Sequence, residues 1–479
     1  MNHVTPLSKW CVVGNTPIPD LAPLARSADL DGLHAYYRGP DGAVLPDGPF
    51  ALDIGTLTLH QSTRHEDHRS FLRVEPETVT VRVSPLNEDP VYYAVNRLRG
   101  LFAYFTDLLL APLVLPALGK SVEFTHTSPV HGTDTPLLGV RRLPYGVLTR
   151  TQLRGGETWL TDASYEYDPL AGFRAPHRDD PLSAGEAQIK ALTAEIERID
   201  RTTPDGIRYA TLLSGGIDSG TVTYLMATSG LSVTPYSVGT PWGDELADAA
   251  ELCAELGIGL EPVQLTEDQI VASIPEAVRW LGVTEPEVVE VALTATTVQR
   301  LGAIPEDRVL LTGYGSDLIN AGLYRPYDHR DDLIEQVLTA VDRTRYSNEL
   351  SNRMPLAYGT TTHHPFWSWP VMRVALETAP ECKVREGREK YHLRAAMGTR
   401  LPEPIAWRRK IAVHHGGGLQ QGVIRRLEKE TGTEERGRFY AACFAELVLR
   451  VAGGELEPAD PWSLFEAAVR RVRDGADGR

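Results

Sequence analysis

The chain has little of what marks a secreted protein, a metal-cluster protein or a membrane protein. Its 479 residues include four cysteines, which lie far apart and lack the paired spacing of a zinc or iron–sulfur site. This favours a reduced compartment, and we predict a cytoplasmic protein. The most apolar stretch, from Leu101 to Leu118, is interrupted by Asp107, Pro112 and Pro116, and no basic region followed by an apolar run opens the sequence. We therefore predict neither a membrane span nor a signal peptide.

Basic charge is also scarce. The 48 Lys and Arg are outnumbered by 64 Asp and Glu, which gives a formal net charge of −16 at pH 7. Such a surface repels a phosphate backbone, so nucleic acid is disfavoured as a partner and a small molecule or a peptide is favoured. A tRNA-thiolating enzyme, which would need a basic face and reactive cysteines, is disfavoured for the same reason. The length exceeds what one core usually supports, and we predict two domains.

Two patterns divide the chain. Between Phe50 and about Arg150, short β-rich runs separated by Pro, Gly, Asn and Asp predict an N-terminal sheet domain, with the run RGLFAYFTDLLL as a helix packed on it. A polar stretch with prolines, near residues 165–185, then leads into an amphipathic helix. We place the two domains at residues 1–175 and 185–479.

In the second domain, apolar runs alternate with helical patterns. The runs that we interpret as strands are IRYATLL, SVTPYSV, GLEPVQL and RVLLTG. This order predicts an α/β fold with a parallel sheet covered by helices on both faces, so the whole chain is of the α+β type. Ligands in such sheets bind at the carboxyl ends of the strands. After Arg330 we predict mostly helix, without strand alternation.

The first motif with chemical content is YATLLSGGIDSG, an apolar strand followed by a Ser/Gly loop and a helix. Gly215 and Gly216 allow backbone N–H groups to approach phosphates, Ser214 and Ser219 add hydroxyl donors, and the helix N-terminus adds positive potential. Asp218 can hold Mg²⁺ against those phosphates. A structurally capped turn is the alternative for any one of these residues alone. The loop lacks the lysine of GxxxxGK[ST], which disfavours γ-phosphoryl transfer.

The second motif is VLLTGYGSD, again a strand followed by a glycine loop. It contains Gly313 and places a second carboxylate, Asp317, at a strand end. Adjacent parallel strands bring their carboxyl-end loops together, so Asp317 and Asp218 can share one Mg²⁺ that neutralises a triphosphate. We therefore predict ATP and Mg²⁺ as cofactors, with an ordinary turn aspartate as the alternative for Asp317.

Both loops carry a family resemblance. The first resembles the SGGxDS signature of the ATP pyrophosphatase superfamily, whose members cleave ATP between the α and β phosphates to activate a carboxylate or carbonyl as its adenylate. With YSVGT, VTEPEVVEVALTATT, HHPFW, ALETAPECK, GREKYHLRAAM and RRKIAVHHGGG in consistent order over about 205–420, the region resembles the synthetase domain of asparagine synthetases. It resembles β-lactam and carbapenam synthetases more closely, because asparagine synthetases usually have Glu where this chain has Leu318.

The resemblance implies three catalytic residues. In β-lactam synthetases a Tyr/Glu pair deprotonates the attacking amine, and a lysine stabilises the oxyanion. Matching the motifs assigns these roles to Tyr346, Glu377 and Lys410, with Tyr358 as the alternative tyrosine. A tyrosine tuned by a glutamate can accept the proton, and a lysine supplies positive charge where negative charge develops. Without the resemblance, ordinary structural roles would be favoured for each.

The resemblance also implies contacts to the nucleotide. Val238 and Gly239 match the strand end that borders adenine, and Lys390 matches a lysine near the phosphates. Glu290 falls where family members shape the substrate pocket, although a helix-surface glutamate fits equally. The structural alternatives for the other three are a core strand residue, a turn glycine and a surface lysine.

The N-terminal domain resembles a reduced form of the Ntn amidotransferase domain that feeds ammonia to asparagine synthetases. An active domain of that type begins with cysteine, because the free α-amine serves as base for the thiol. Here residue 2 is Asn2, and Cys11 would need the removal of ten residues. The resemblance therefore implies an inactive remnant and an amine that comes from the substrate or is supplied to it.

Our leading hypothesis is an ATP-dependent cyclase that closes a lactam, such as a β-lactam, in a small amino-acid-like substrate and releases AMP and pyrophosphate. A lasso-peptide-type macrolactam cyclase acting on a precursor peptide is the closest alternative. An asparagine synthetase-like ligase is opposed by Asn2 and Leu318, and a non-catalytic scaffold requires a broken metal site. Asn320 and Ala321 depart from the family near the substrate region, so substrate identity, ring size and oligomeric state stay open.

Overall fold

The structure is a computed structural model that describes residues 9–39, 45–46, 48–60, 70–125, 132–154, 158–165, 170, 173, 176–323, 330–409, 418–455 and 460–477. Its N-terminal part is built from antiparallel strands, and its C-terminal part from a parallel sheet with helices. Within the described residues, no helix is both long and apolar enough to cross a membrane.

Twelve strands make up the described N-terminal part. In chain order they are β1 (Trp10–Gly14), β2 (Arg26–Leu30), β3 (Leu33–Arg38), β4 (Phe50–Asp53), β5 (Thr58–His60), β6 (Phe71–Glu75), β7 (Thr78–Arg82), β8 (Tyr92–Asn96), β9 (Leu101–Phe105), β10 (Val140–Arg142), β11 (Val147–Arg154) and β12 (Thr158–Tyr165). They form two six-stranded sheets, in the orders β10-β8-β9-β1-β3-β2 and β12-β11-β7-β6-β4-β5. The predicted β-rich N-terminal region is therefore confirmed.

The two antiparallel sheets pack face to face, and strand alternation explains how. Along β1, the side chains of Cys11 and Val13 enter the core between the sheets, whereas Trp10 and Val12 enter a second core on the other face. Successive side chains of a strand point to opposite faces, so a strand that is buried on both sides reads as one continuous apolar run. The first sheet is thus covered on both faces.

The prediction of one helix over RGLFAYFTDLLL was wrong. Its residues 101–105 form β9, which lies between β8 and β1, and a 3-10 helix, Leu108–Leu110, leads into helix α1 (Ala111–Ala117). A strand buried on both faces has no period-two alternation, so its apolar run looks like a buried helix. One further 3-10 helix, Pro19–Leu21, lies after β1.

The parallel sheet lies in the C-terminal part. Its strands are β13 (Arg208–Leu212), β14 (Val233–Gly239), β15 (Glu261–Gln264), β16 (Arg308–Leu311) and β17 (Thr361–His363). They pair in the order β15-β14-β13-β16-β17, and every pair is parallel. The predicted parallel sheet is confirmed, but β17 corrects the prediction of no strand after Arg330. This strand has three residues, too few for a period to be read.

Helices connect and cover these strands. In chain order they are α2 (Pro181–Thr202), α3 (Ile217–Thr228), α4 (Leu246–Leu256), α5 (Glu267–Val271), α6 (Ile274–Leu281), α7 (Pro286–Arg300), α8 (Ser316–Ile319), α9 (Arg330–Thr344), α10 (Arg353–Ala357), a 3-10 helix (Pro365–Trp367), α11 (Trp369–Leu376), α12 (Pro380–Lys383), α13 (Tyr391–Met397), α14 (Glu403–Ala406), α15 (Leu419–Thr431), α16 (Arg436–Ala452) and α17 (Pro461–Asp477). The predicted helical C-terminal part is confirmed.

The strand order creates one crevice at the carboxyl edge of the parallel sheet. The chain passes from β13 to β14 and β15 on one side, and only then crosses to β16 and β17 on the other. The loops that leave β13 and β16 therefore lie side by side at the switch point of the strand order, where sheets of this type bind their ligands. Both sequence motifs end at this crevice.

A shared core joins the two parts of the chain. Buried side chains of the first antiparallel sheet and α1 pack in one cluster with side chains of α6, α7, α16 and α17. A buried ion pair lies in the same region: Arg279 of α6 donates to Asp107 at 2.5 Å (Nη2 to Oδ2) and 3.2 Å (Nη1 to Oδ1). The N-terminal sheets are thus packed on the helices that line the crevice.

Candidate active site

The loop after β13 has the geometry of an anion-binding site. It ends at Gly216, the N-cap residue of α3, which has no side chain that could cap the helix. The first backbone N–H groups of α3 are therefore available to a ligand. The Ser214 N–H donates to Ser219 Oγ at 3.1 Å, and the two hydroxyl oxygens are also 3.1 Å apart. The predicted phosphate-binding residues lie together.

Two glycines let this loop pack closely against its neighbours. Gly215 has φ +65°, and a Cβ placed on it would lie 2.4 Å from the Cβ of Asp248. A Cβ on Gly313, in the loop after β16, would lie 2.5 Å from the backbone nitrogen of Ser219. Real Cβ atoms do not approach other atoms so closely. A side chain at Gly215 would therefore push this loop away from Asp248, and one at Gly313 would push the second loop away from α3. The second loop therefore lies directly on the start of α3.

The two predicted metal ligands converge on one point. Asp218, at the start of α3, and Asp317, at the start of α8, both form ion pairs with the ammonium group of Lys390, and the Asp317 pair measures 2.5 Å. The Lys390 side chain is fully buried, whereas the Asp317 carboxylate is 34% exposed. The structure thus brings together the two aspartates and the lysine that the sequence assigned to the metal and the phosphates.

The donor set suits a magnesium ion that is bound together with a nucleotide. Within the described residues, no group of three or more His, Cys, Asp or Glu side chains could hold a metal. Two carboxylates are present, and Mg²⁺ usually takes one or two carboxylates from the protein and its other oxygens from phosphate and water. Asp218 and Asp317 fit that requirement beside the phosphate loop.

A buried series of hydrogen bonds leads to the carboxylate of Asp218. Ser316 Oγ donates to Asp218 Oδ1 at 2.6 Å, and Asn320 Nδ2 donates to Ser316 Oγ at 3.0 Å. Asn320 Oδ1 in turn accepts from Gln188 Nε2 at 2.9 Å and lies 3.2 Å from His392 Nε2. Burial lowers the pKa of His392 to about 3, so the ring is neutral. The donors Asn320 Nδ2 and Ser316 Oγ thus both point toward the Asp218 carboxylate.

The residues predicted to contact adenine lie at the end of β14. Val238 and Gly239 are its last residues, next to the carboxyl end of β13 in the sheet. Arg408 crosses the same edge: its Nη1 donates to the carbonyl oxygens of Gly215 at 3.1 Å and Asp248 at 3.0 Å. Lys410, two residues further, lies outside the described residues.

A cavity, partly open to solvent, lies beside this edge of the sheet. Strand residues from β13, β16 and β17 form one side of the cavity, α6 and α7 form its walls, and the segment 348–355 completes it. Tyr314, in the loop that carries Asp317, also lines the cavity. The cavity therefore adjoins the loop after β16, which carries Asp317.

Two residues that sequence reasoning missed, Tyr314 and Glu349, line this cavity together. The Tyr314 hydroxyl donates to the carbonyl oxygen of Val291 at 3.2 Å. Burial raises the pKa of Glu349 to about 7, although hydrogen bonds involving Thr344 and Ser347 act in the opposite direction. A carboxyl group with this pKa can take up and release a proton near neutral pH.

The described cavity lining includes neither the predicted tyrosine, Tyr346, nor the predicted glutamate, Glu377. The Tyr346 ring packs on the Tyr145 ring, with centroids 5.4 Å apart. Glu377 accepts from Arg178 at 3.2 Å (Nε) and 3.0 Å (Nη2), and it also pairs with Arg373 at 3.7 Å. A carboxylate paired with two guanidinium groups is poorly suited to support a base.

Tyr358 and Glu290 also have structural surroundings. Burial raises the pKa of Tyr358, and the buried carboxyl group of Glu276 raises it further. Glu290 accepts from the Tyr440 hydroxyl at 2.9 Å and from Gln420 Nε2 at 2.9 Å, so it joins α7 to α15 and α16. The described cavity lining includes neither residue.

Position in the chain could have pointed to Tyr314. It follows β16 by three residues, and residues just after a strand of a parallel sheet lie at the ligand-binding edge. Glu349 carried no comparable signal, because its segment joins α9 to α10 far along the chain from either loop. Only the folded structure brings that segment to the cavity.

Cys11 lies in the core between the antiparallel sheets and is fully buried. Burial raises the pKa of its thiol to about 12. A thiol of this kind is a poor nucleophile, because the thiolate is the reactive form. Asn2 lies outside the described residues, and the inactive N-terminal part stays a prediction.

The chain is similar in sequence to known proteins. The family profile of asparagine synthase matches residues 199–351 and 335–470, more than half of the chain. The carboxyethyl-arginine beta-lactam-synthase of Streptomyces clavuligerus is 29% identical over 309 residues, 63% of this chain and 56% of that protein. The match therefore spans little more than half the length of this relative.

Two solved structures also align with part of the chain. NMN synthetase from Francisella tularensis has 14% identity and a TM-score of 0.28, and it covers 61% of this chain and 96% of its own. The NH3-dependent NAD synthetase from Campylobacter jejuni has 15% identity and a TM-score of 0.24, and it covers 62% of this chain and 95% of its own.

Proposed function

The chain belongs to the asparagine synthase family, and from that premise we propose that it is an ATP- and Mg²⁺-dependent ligase that forms an amide bond. The observation that carries this proposal is the convergence of Asp218 and Asp317 beside a helix N-terminus without a side-chain cap. The cavity that holds Tyr314 and Glu349 adjoins the loop that carries Asp317. A nucleotide and an acyl acceptor can meet at this edge of the sheet.

The first step that we propose is adenylation. A carboxylate oxygen of the substrate attacks the α-phosphorus of ATP, the bond from that phosphorus to the bridging oxygen breaks, and pyrophosphate leaves. Magnesium, when bound, neutralises triphosphate charge and assists this departure. Asp218 and Asp317 would hold the ion, while Ser214, Ser219 and the start of α3 would bind phosphate oxygens. Lys390 keeps a positive charge next to both carboxylates.

The second step that we propose is attack by an amine. Its nitrogen bonds to the acyl carbon, the carbon–oxygen bond to AMP breaks, and AMP leaves with the electron pair. We assign the amine proton to the pair Tyr314 and Glu349, in place of Tyr346 and Glu377, because the first two line the cavity and Glu349 has a pKa of about 7. Lys410 keeps its predicted role at the oxyanion.

We propose that amine and carboxylate belong to the same molecule, so that the product is a lactam. The similarity to a protein named carboxyethyl-arginine beta-lactam-synthase supports this choice. A β-lactam ring closes from a β-amino acid, which is the substrate that we propose. The product is then lighter than the substrate by one water. We also propose a cytoplasmic enzyme whose residues 1–175 form an inactive glutaminase-like domain and whose residues 185–479 carry the reaction.

The test is turnover with ATP, Mg²⁺ and a panel of β-amino acids, followed by pyrophosphate release and by substrate mass. We expect pyrophosphate, AMP and a product that has lost one water. The Asp218→Asn and Asp317→Asn variants should lose this activity, whereas Asp307→Asn should keep it. Asp307 lies at the opposite end of β16, where it pairs with Arg208 on the surface, and it is a matched control.

Other outcomes would change the proposal. Pyrophosphate release only with a peptide would support a macrolactam cyclase, and release only with an external amine would support an ordinary amide ligase. Release that is unaffected by Asp218→Asn would contradict the assignment of the nucleotide site.

A further inference from the structure

The walls of the cavity beside Tyr314 are mostly apolar. Helices α6 and α7 contribute Ala277, Trp280, Leu281, Val291, Ala292 and Ala295. Surfaces of this kind favour apolar groups, because contact with them removes both sides from water. The small side chains of α7 also leave room for a substituent of the substrate.

The polar side chains of the lining are largely engaged within the protein. Thr296 donates to the carbonyl oxygen of Ala292 at 2.8 Å, and Gln299 Oε1 accepts from Thr360 at 2.7 Å. Asn348 Nδ2 donates to the carbonyl oxygen of Leu281 at 2.6 Å. Groups that already have protein partners offer little to a polar substituent, so much of this part of the lining behaves as apolar surface.

The same holds for the ring of His364. It pairs with Thr312, with 2.7 Å between Nδ1 and Oγ1. Burial lowers the pKa of His364 to about 3, so the ring brings no positive charge to the cavity.

Two charged side chains remain in the described lining. Glu349 is its only acid, and the proposed function already assigns this residue to the amine. Arg353 is 8% exposed; burial lowers its pKa, and the nearby carboxylates of Asp89 and Asp107 oppose that shift. Nε and Nη2 of Arg353 nevertheless have no hydrogen-bond partner among the described residues. No acid of the described lining is left to pair with a cationic substituent.

From this distribution of charge we propose that the cavity selects substrates whose variable substituent carries no positive charge, and that it discriminates against a guanidinium group. This inference rests on the proposed function, because the cavity is taken as the site of the amino-acid substrate. It separates this chain from the similar protein named carboxyethyl-arginine beta-lactam-synthase. The small residues Ala292 and Ala295 of α7 are the proposed specificity positions.

Matched substrates test the proposal. Three β-amino acids share the amine and the carboxylate and carry an isobutyl, a guanidinopropyl or a carboxyethyl substituent. We expect kcat/KM for pyrophosphate release to be higher for the isobutyl compound than for the guanidino compound by about 100-fold or more, since a buried unpaired charge is strongly disfavoured. The carboxyethyl compound reports on Arg353, whose Nε and Nη2 have no hydrogen-bond partner among the described residues, and it should be used better than the guanidino compound.

A charge placed in the wall should change this preference. In Ala295→Asp the kcat/KM ratio of the guanidino to the isobutyl compound should rise by roughly 10-fold or more, because the new carboxylate can pair with the guanidinium. Ala292→Asp is a second variant with the same expected direction. Thr294→Asp adds the same charge to the same helix outside the described lining, and it should leave the ratio unchanged.

The thermal shift caused by each compound, measured with Mg²⁺ and a non-cleavable ATP analogue, separates this inference from the proposed function. If no compound releases pyrophosphate, the ligase proposal fails, and the order of the thermal shifts still decides the inference. A guanidino compound that is used or bound as well as the isobutyl compound, or better than the carboxyethyl compound, would overturn it. A ratio that changes equally in Thr294→Asp and Ala295→Asp would also contradict it.

Discussion

At the scale of single residues, the environment of Glu349 gives it a chemical role. Burial raises the pKa of its carboxyl group to about 7, whereas Glu377 is held by Arg178 and Arg373. A base must be ionised to accept a proton, so the ionised fraction of Glu349 should limit the rate below its pKa. The activity should therefore rise as the pH increases through about 7.

Glu349→Gln and Tyr314→Phe test whether these two residues accept the amine proton. Each should lower kcat/KM by about 100-fold or more, the usual size of a lost general base, and Glu349→Gln should also remove the rise near pH 7. Glu377→Gln and Tyr346→Phe are the matched controls and should keep both rate and profile. Kinetics of pyrophosphate release from pH 5.5 to 9 provide the measurement. The opposite ranking would restore Tyr346 and Glu377 as the proton acceptors.

At the scale of elements, α8 and its cap link the second loop to the first. Ser316 begins α8 and donates to Asp218, and Asn320, which ends the helix, donates to Ser316. Both side chains are fully buried. Consecutive donors polarise one another and fix the orientation of the final acceptor. We infer that this chain holds the Asp218 carboxylate in the orientation that a metal requires.

Ser316→Ala and Asn320→Leu should therefore raise the Mg²⁺ concentration for half-maximal activity by about 10-fold, the scale at which partners of metal ligands act. The maximal rate at saturating Mg²⁺ should change less. Asn352→Leu is the control, because Asn352 accepts from Thr362 N–H at 2.9 Å and has no described contact with this chain of donors. Equal Mg²⁺ dependence in all three variants would show that the hydrogen bonds of Ser316 and Asn320 serve stability alone.

Element patterns also determine what the sequence could predict. The loops after β13 and β16 were predicted with their residues, because a strand, a glycine loop and a helix follow one another locally. β9 was taken for a helix because it is buried on both faces, and β17 was missed because it has three residues. Glu349 could not be assigned, because its role depends on the packing of segment 348–355 against α6 and α7.

At the scale of the whole molecule, the N-terminal sheets support the helices around the cavity. The Asp107 and Arg279 side chains are 4% and 2% exposed, and Asp107 also accepts from the Leu109 N–H at 3.0 Å. Removal of one partner leaves an uncompensated buried charge, which is strongly destabilising. The N-terminal part therefore contributes to the stability of α6 even though Cys11 is buried and unreactive.

Asp107→Ala should lower the free energy of unfolding by about 3–5 kcal/mol, the range for one lost partner of a buried pair. The double variant Asp107→Ala/Arg279→Met should be less destabilised than the sum of its single variants, because no charge is left unpaired. Denaturant unfolding monitored by circular dichroism gives these values. The exposed pair Arg208–Asp307 is the control, and Asp307→Ala should change stability far less than Asp107→Ala. Additive effects at Asp107 and Arg279 would argue against a coupled pair.

The central claim is that the chain activates a carboxylate as its adenylate. It is tested most directly by a substrate β-amino acid whose carboxylate is labelled with oxygen-18, incubated with ATP and Mg²⁺. We predict that one labelled oxygen appears in AMP, because the carboxylate oxygen stays on the α-phosphorus when the amine displaces the adenylate. Label in inorganic phosphate with formation of ADP, or AMP without label, would contradict the claim.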